Sequence, residues 1–124
     1  MEPFQSRVEK PWGYELVFTP PDASFCGKIL HVNMGKRLSL QYHDKKTESL
    51  CLIKGKVILS IGSNKKDLSD IEMQPFKGYF IKTGTVHRVT ALVDSDLVES
   101  SSPQQGTTVR LEDDNGRADE ILSS

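Results

Sequence analysis

What most restricts the fold of this chain is its punctuation. Apolar residues come in short runs rich in Val, Ile and Leu, and turn-forming clusters interrupt them about every eight to twelve residues. Gly62-Ser63-Asn64-Lys65-Lys66 and Asp113-Asp114-Asn115-Gly116 are two such interruptions. No stretch holds the roughly 3.6-residue period of an amphipathic helix over three turns, and only the residues from Arg117 onward are left open to a short helix. The expected strands span residues 12–18, 28–33, 38–42, 48–53, 56–61, 71–73, 79–82, 87–92, 96–99 and 107–112. Many short strands without a helix to cover them must bury their apolar faces sheet against sheet. The expectation is therefore all-β, a sandwich or barrel.

Length and composition agree. The 124 residues are one domain's worth of chain, read as a single domain over 1–124 with its core at about 8–117 and short flexible termini. Hydrophobic residues make up 36% and charged residues 27%, which excludes a transmembrane chain and argues against disorder. Sixteen Lys and Arg against seventeen Asp and Glu leave a net charge of −1, so bulk charge gives no grip on nucleic acid or an anionic membrane. Cys26 and Cys51 lie in apolar runs with no C-x-x-C. One disulfide could join them, but buried free thiols are the commoner outcome. With no apolar signal stretch at the N-terminus, a reducing, cytoplasmic setting is expected.

Strand alternation orients the side chains. Ser39, Gln41 and His43 share one face, and Leu38, Leu40 and Tyr42 the other. On the following strand Glu48, Leu50 and Leu52 face together, and a hairpin is expected to set that carboxylate beside His43. Polar groups that enter an interior need partners, and a metal ion is one. Gln41 and His43, two apart on one strand, with Glu48 and a later strand-start His87, supply an amide oxygen, two imidazoles and a carboxylate. That set suits a borderline divalent ion, zinc ahead of manganese, iron, cobalt or nickel. The competing reading is a surface strand whose polar residues happen to alternate. Residues 56–61 are apolar on both faces, Val57, Leu59 and Ile61 against Ile58, which a second copy would cover; a homodimer is expected. Lys45 and Lys46 read as a solvated hairpin tip, Trp12 as packing, and Asp113-Asp114 as a turn.

These spacings resemble the cupin superfamily. Its first motif, G, five residues, H-x-H, three or four residues, E, six residues, G, is matched from Gly35 through Gln41-Tyr42-His43 and Glu48 to Gly55, with Gln41 in place of the first histidine. Its second motif is met by Gly84 and His87 and departs at Phe76 (for Gly), Lys82 (for Pro) and Ala91 (for Asn). Lys10-Pro11-Trp12-Gly13-Tyr14-Glu15, the run from Gly27 to Asn33, Gly84-Thr85-Val86-His87-Arg88-Val89 and Val109 to Arg117 narrow the match. They resemble the C-terminal cupin domain of type II mannose-6-phosphate isomerases, which usually has an aromatic residue where Asn115 stands. The resemblance implies a jelly roll, metal ligands at Gln41, His43, Glu48 and His87, and a catalytic role for Arg110.

Aldose–ketose isomerisation through an enediol needs a base, a Lewis acid for the sugar oxygens and a cation for the phosphate. Arg110 is the first choice to clamp substrate, with Arg88, Lys36, Arg37 and Lys82 as further substrate-binding candidates. No residue declares itself as the base. His31 is a candidate, but a strand histidine hydrogen-bonded in place is the preferred reading. The leading function is thus a metal-dependent isomerase acting on a small-molecule sugar phosphate. A non-catalytic metal-containing sugar-binding cupin and an iron cupin dioxygenase stay open beside it.

Overall fold

The computed structural model describes residues 1–122, so Ser123 and Ser124 of the expected C-terminal tail lie outside the described residues. The strands are β1 (Ser6–Lys10), β2 (Gly13–Val17), β3 (Cys26–Val32), β4 (Leu40–His43), β5 (Glu48–Lys54) and β6 (Val57–Gly62). They continue as β7 (Leu68–Glu72), β8 (Gly78–Ile81), β9 (Val86–Ala91), β10 (Ser95–Ser101), β11 (Thr107–Glu112) and β12 (Glu120–Ile121). Two six-stranded sheets result, in the orders β1-β2-β3-β10-β5-β8 and β12-β11-β4-β9-β6-β7. Every pairing is antiparallel, which completes an all-β jelly roll. Among the described residues no helix is long and apolar enough to cross a membrane.

The core lies between the sheets. Leu30, Val32, Leu50, Leu52 and Leu97 from the first meet Val57, Leu59, Val89 and Ala91 from the second, with Trp12 and Met73 closing the cluster. Trp12 is 3% exposed, so it packs as expected. Cys26 is buried, Cys51 half-buried, and both are free thiols.

Four local differences from the sequence reading have physical causes. β1 was not expected, because Ser-Arg-Val-Glu-Lys offers one apolar residue and is largely exposed. Backbone pairing with β2 holds it, from Ser6↔Val17 to Lys10↔Gly13. Among the described residues from Arg117 onward no helix forms; Glu120 and Ile121 pair with Thr108 and Thr107. Leu38 does not share a face with Leu40. The chain before β4 is irregular, with Arg37 bridged to Thr90 and the Leu38 N–H bonded to Val89 O. Leu38 therefore packs on the core, while Leu40 lines a shallow groove on the outer face with Ile58, Ser60 and Arg88. Finally, β4 and β5 form no hairpin: they belong to different sheets, and residues 44–47 cross between them.

The second-motif departure at Phe76 is visible in the backbone. Phe76 holds φ 63°, the left-handed conformation that glycine adopts without strain, and its side chain is 72% exposed. Its N–H bonds to Leu52 O at 2.8 Å, which ties the turn to the core strand. The local geometry is thus kept although the residue is not glycine. Left-handed backbone costs an L-residue roughly 1–2 kcal/mol, partly offset by glycine's larger chain entropy. Phe76→Gly should therefore stabilise the protein by up to about 1 kcal/mol in urea unfolding, whereas Leu97→Ala in the fully buried centre of β10 should cost about 2–5 kcal/mol.

Candidate metal centre

The crossover between sheets builds the site. His43 is the last residue of β4 and Glu48 the first of β5, so the two face each other across the gap that residues 44–47 span. β9 lies beside β4 and carries His87, with Gln41 directly opposite it. β11, on the other side of β4, sets Thr108 opposite His43 and Arg110 opposite Gln41. Pairing within the second sheet, with the crossover to β5, thus gathers Gln41, His43, Glu48, His87 and Arg110 at one end of the barrel.

His43, Glu48 and His87 each offer one ligand atom, and these atoms lie within 4.8 Å of one another. Glu48 Oε1 is 3.7 Å from His43 Nε2 and 3.0 Å from His87 Nε2. All three side chains are buried. Each imidazole is held through its other nitrogen: His43 Nδ1 lies 3.0 Å from the Thr108 hydroxyl, and His87 Nδ1–H donates to Thr85 O at 2.9 Å. With Nδ1 protonated, His87 Nε2 turns a lone pair toward a carboxylate, an arrangement that calls for a shared cation or proton. His43 Nε2 and His87 Nε2 are buried without hydrogen-bond partners, which is unusual in a folded interior, and Glu48 Oε2 has an ion-pair contact with Lys46 but no hydrogen bond. Two imidazoles and a carboxylate with unspent lone pairs fit a divalent ion; this group could bind a metal. Gln41 joins them at the wall of the same cavity, its Oε1 accepting from Ser39 Oγ at 2.6 Å with a second lone pair left over.

Burial and charge act together on these groups. Burial opposes ionisation of Glu48, but His43, His87 and Lys46 outweigh it and hold the carboxyl well below the usual range. Burial pushes His43 down despite Glu48. Glu48 overcomes the same effect at His87 and raises it. Lys46 corrects the sequence reading. It is 4% exposed rather than solvated, because the crossover turns its side chain inward while Asp44 and Lys45 stay exposed, and its Nζ sits 3.0 Å from Glu99 and 3.4 Å from Glu48. Only Lys45 remains exposed. Glu99, singled out by no motif, is buried; burial and the neighbouring Glu48 charge raise its carboxyl to about 7. A lysine followed two residues later by a ligand glutamate was the available signal for the pair, but only the crossover turns it inward.

Beside the cluster opens a cavity of about 360 Å³, whose polar wall includes Gln41, His43, Lys46, Glu99, Thr108 and Arg110. Its size suits a small molecule. Arg110 reaches it as expected but is already engaged: Nη1 donates to Ala118 O at 2.5 Å and Nη2 to Glu120 at 2.9 Å. Its Nε is buried without a partner. The other four cations do not line the cavity. Arg37 and Arg88 lie on the outer-face groove. Arg37 is paired with Asp114, and Arg88 donates to Leu38 O and Glu112 O. Lys36 and Lys82 are exposed in turns. The register-pairing of strands, invisible along the chain, decided which cations face inward. His31 takes the hydrogen-bonded reading: it bonds Asp96 at 2.6 Å and stacks on Tyr14.

A family model described as mannose-6-phosphate isomerase C-terminal matches residues 2–119. No curated protein matches the chain. Among solved structures, KdgF from Halomonas sp. superposes with a TM-score of 0.68 at 14% identity, covering 81% of this chain and 89% of that one. The capsular polysaccharide assembling protein CapF from Staphylococcus aureus gives 0.65 at 17% identity over 97% of this chain, which spans only 34% of CapF. An E162A mutant of Bacillus subtilis oxalate decarboxylase OxdC gives 0.68 at 14% identity, covering 80% of this chain and 27% of that one. At such identities these likenesses establish the fold.

His43→Ala and His87→Ala should each lower zinc affinity at least about 100-fold while the fold persists, read by chelator competition and circular dichroism. Thr108→Val, which frees His43 Nδ1, should cost about tenfold. Zinc retained at full affinity in the His87 variant would contradict this arrangement.

Proposed function

Because this chain belongs to the mannose-6-phosphate isomerase C-terminal family and folds as a cupin, we propose that it is a metal-dependent sugar-phosphate isomerase of the mannose-6-phosphate type. The observation that carries the reading is the pair of unpartnered, buried imidazole nitrogens of His43 and His87 turned on Glu48 Oε1, against a cavity that also presents Gln41 and Arg110. Gln41, His43, Glu48 and His87 would hold a divalent ion, zinc first. That ion would polarise the sugar carbonyl and hydroxyl oxygens during interconversion through an enediol. The chain's own residues then do the rest. Ser39 keeps the Gln41 amide aligned, and Thr108 and Thr85 fix the two imidazole rings. Arg110 offers its free Nε to an anionic group, and the walls between Trp12 and Leu38 exclude water from one side of the substrate. CapF, named as a capsular polysaccharide assembling protein, shares the fold and agrees with a sugar ligand without specifying one. The free thiols of Cys26 and Cys51 agree with a cytoplasmic setting.

One observation favours a second reading, a sugar-binding cupin without turnover. Two of the five N–H donors of Arg110 are spent on Ala118 and Glu120, which holds the guanidinium against the C-terminal strand and narrows what it can offer a ligand.

Zinc-loaded protein incubated with mannose 6-phosphate should form fructose 6-phosphate in a coupled assay. Arg110→Ala should keep zinc and lose turnover about 100-fold or more. Calorimetric binding of the sugar phosphate without product would select the binding reading, and oxygen uptake by the iron-loaded protein would replace both.

A further inference from the structure

The charged pair that sequence reading missed does more than fill space. Lys46 and Glu99 are 4% and 6% exposed and face the cavity beside the ligand cluster. A buried ion pair is weak as a device for stability, since desolvation cancels much of its attraction, so its position invites another role. The position is specific. Glu48 divides its two oxygens: Oε1 is the atom near both imidazoles, at 3.7 and 3.0 Å, whereas Oε2 is the atom 3.4 Å from Lys46 Nζ. Lys46 is in turn held 3.0 Å from Glu99 Oε2.

The backbone fixes this division. Thr83 Oγ1 donates to Lys46 O at 3.3 Å, and Ser102 N donates to Thr47 O at 3.1 Å. Glu99 sits on β10, two residues before the Ser101 that pairs with Glu48, and both inward-facing carboxylates therefore flank the lysine. A carboxylate that gives a metal both oxygens fills two coordination positions; one that gives a single oxygen leaves a position for water or substrate.

We propose that Lys46, anchored by Glu99, reserves the second oxygen of Glu48 and makes Glu48 a one-oxygen ligand, so that an ion held by His43, Glu48 and His87 keeps a position open toward the cavity. Lys46 and Glu99 are positioning residues in this scheme. The inference rests on the reading that these three side chains hold the ion.

The test is the structure of the zinc-loaded protein, wild type and Lys46→Met/Glu99→Leu, a double variant that removes both charges together and strands neither. In the wild type one Glu48 oxygen should bond zinc and the other should stay with Lys46. In the double variant both Glu48 oxygens should bond. In solution, the cobalt-loaded double variant should lose visible absorption by about twofold or more as the coordination number rises. Zinc bound through both Glu48 oxygens in the wild type would overturn the proposal while leaving the metal site itself intact. A one-oxygen Glu48 persisting in the folded double variant would overturn it as well. Should the double variant fail to fold, Lys46→Gln with the same two readouts decides. Wild-type protein that takes up no zinc at these residues would remove the metal reading and this inference together.

Discussion

A carboxylate that is 3% exposed cannot stand alone, and Glu48 is surrounded accordingly. Burying an isolated charge costs several kcal/mol even after the protein relaxes, so its neighbours must answer for it. Two imidazoles and an ammonium group do so, each delivered by a different part of the chain: β4, β9 and the crossover before β5. The depressed ionisation of Glu48 and the raised ionisation of His87 are two faces of that one electrostatic fact. Much else follows from it. The crossover must run inward, Lys46 must be buried with it, and Glu99 must lie close enough to balance a second positive group.

The jelly roll supplies the frame on which these charges are tolerable. Its core of Leu, Val and Ile side chains between the sheets bears the stability, and the polar cluster occupies one end of that core. Each imidazole has one nitrogen tied down by a neighbour on a rigid strand or turn, so the ring planes are set before any ion arrives. The same economy appears at the rim. Arg110 is held against the C-terminal strand by Ala118, Asp119 and Glu120, which sets its orientation and limits what it can offer a ligand.

Cupin relatives of similar shape carry unrelated chemistries, so shape settles little about function. The OxdC and KdgF likenesses show how far a common scaffold can be carried at 14% identity. The discriminating features lie in the cavity wall: which side chains line it, which are engaged, and which keep unspent donors or lone pairs.

By itself the sequence determined the class of fold and pointed to His43, Glu48 and His87, the side chains whose ligand atoms the structure gathers. Short apolar runs with turn clusters permit little other than packed sheets, and ligand residues must be of a few types at spacings that a strand can present. Local chemistry controls both, so both were legible in the short apolar runs and in the spacing of His43, Glu48 and His87. Tertiary structure alone decided which charges point inward. Arg88 and Arg110 look alike along the chain, yet one falls on the outer face of its sheet and the other on the cavity side. Lys46 looks like a loop lysine until β4 and β5 are placed in different sheets. A side chain's environment depends on strands distant in sequence, and no periodicity within one segment encodes where those strands will lie.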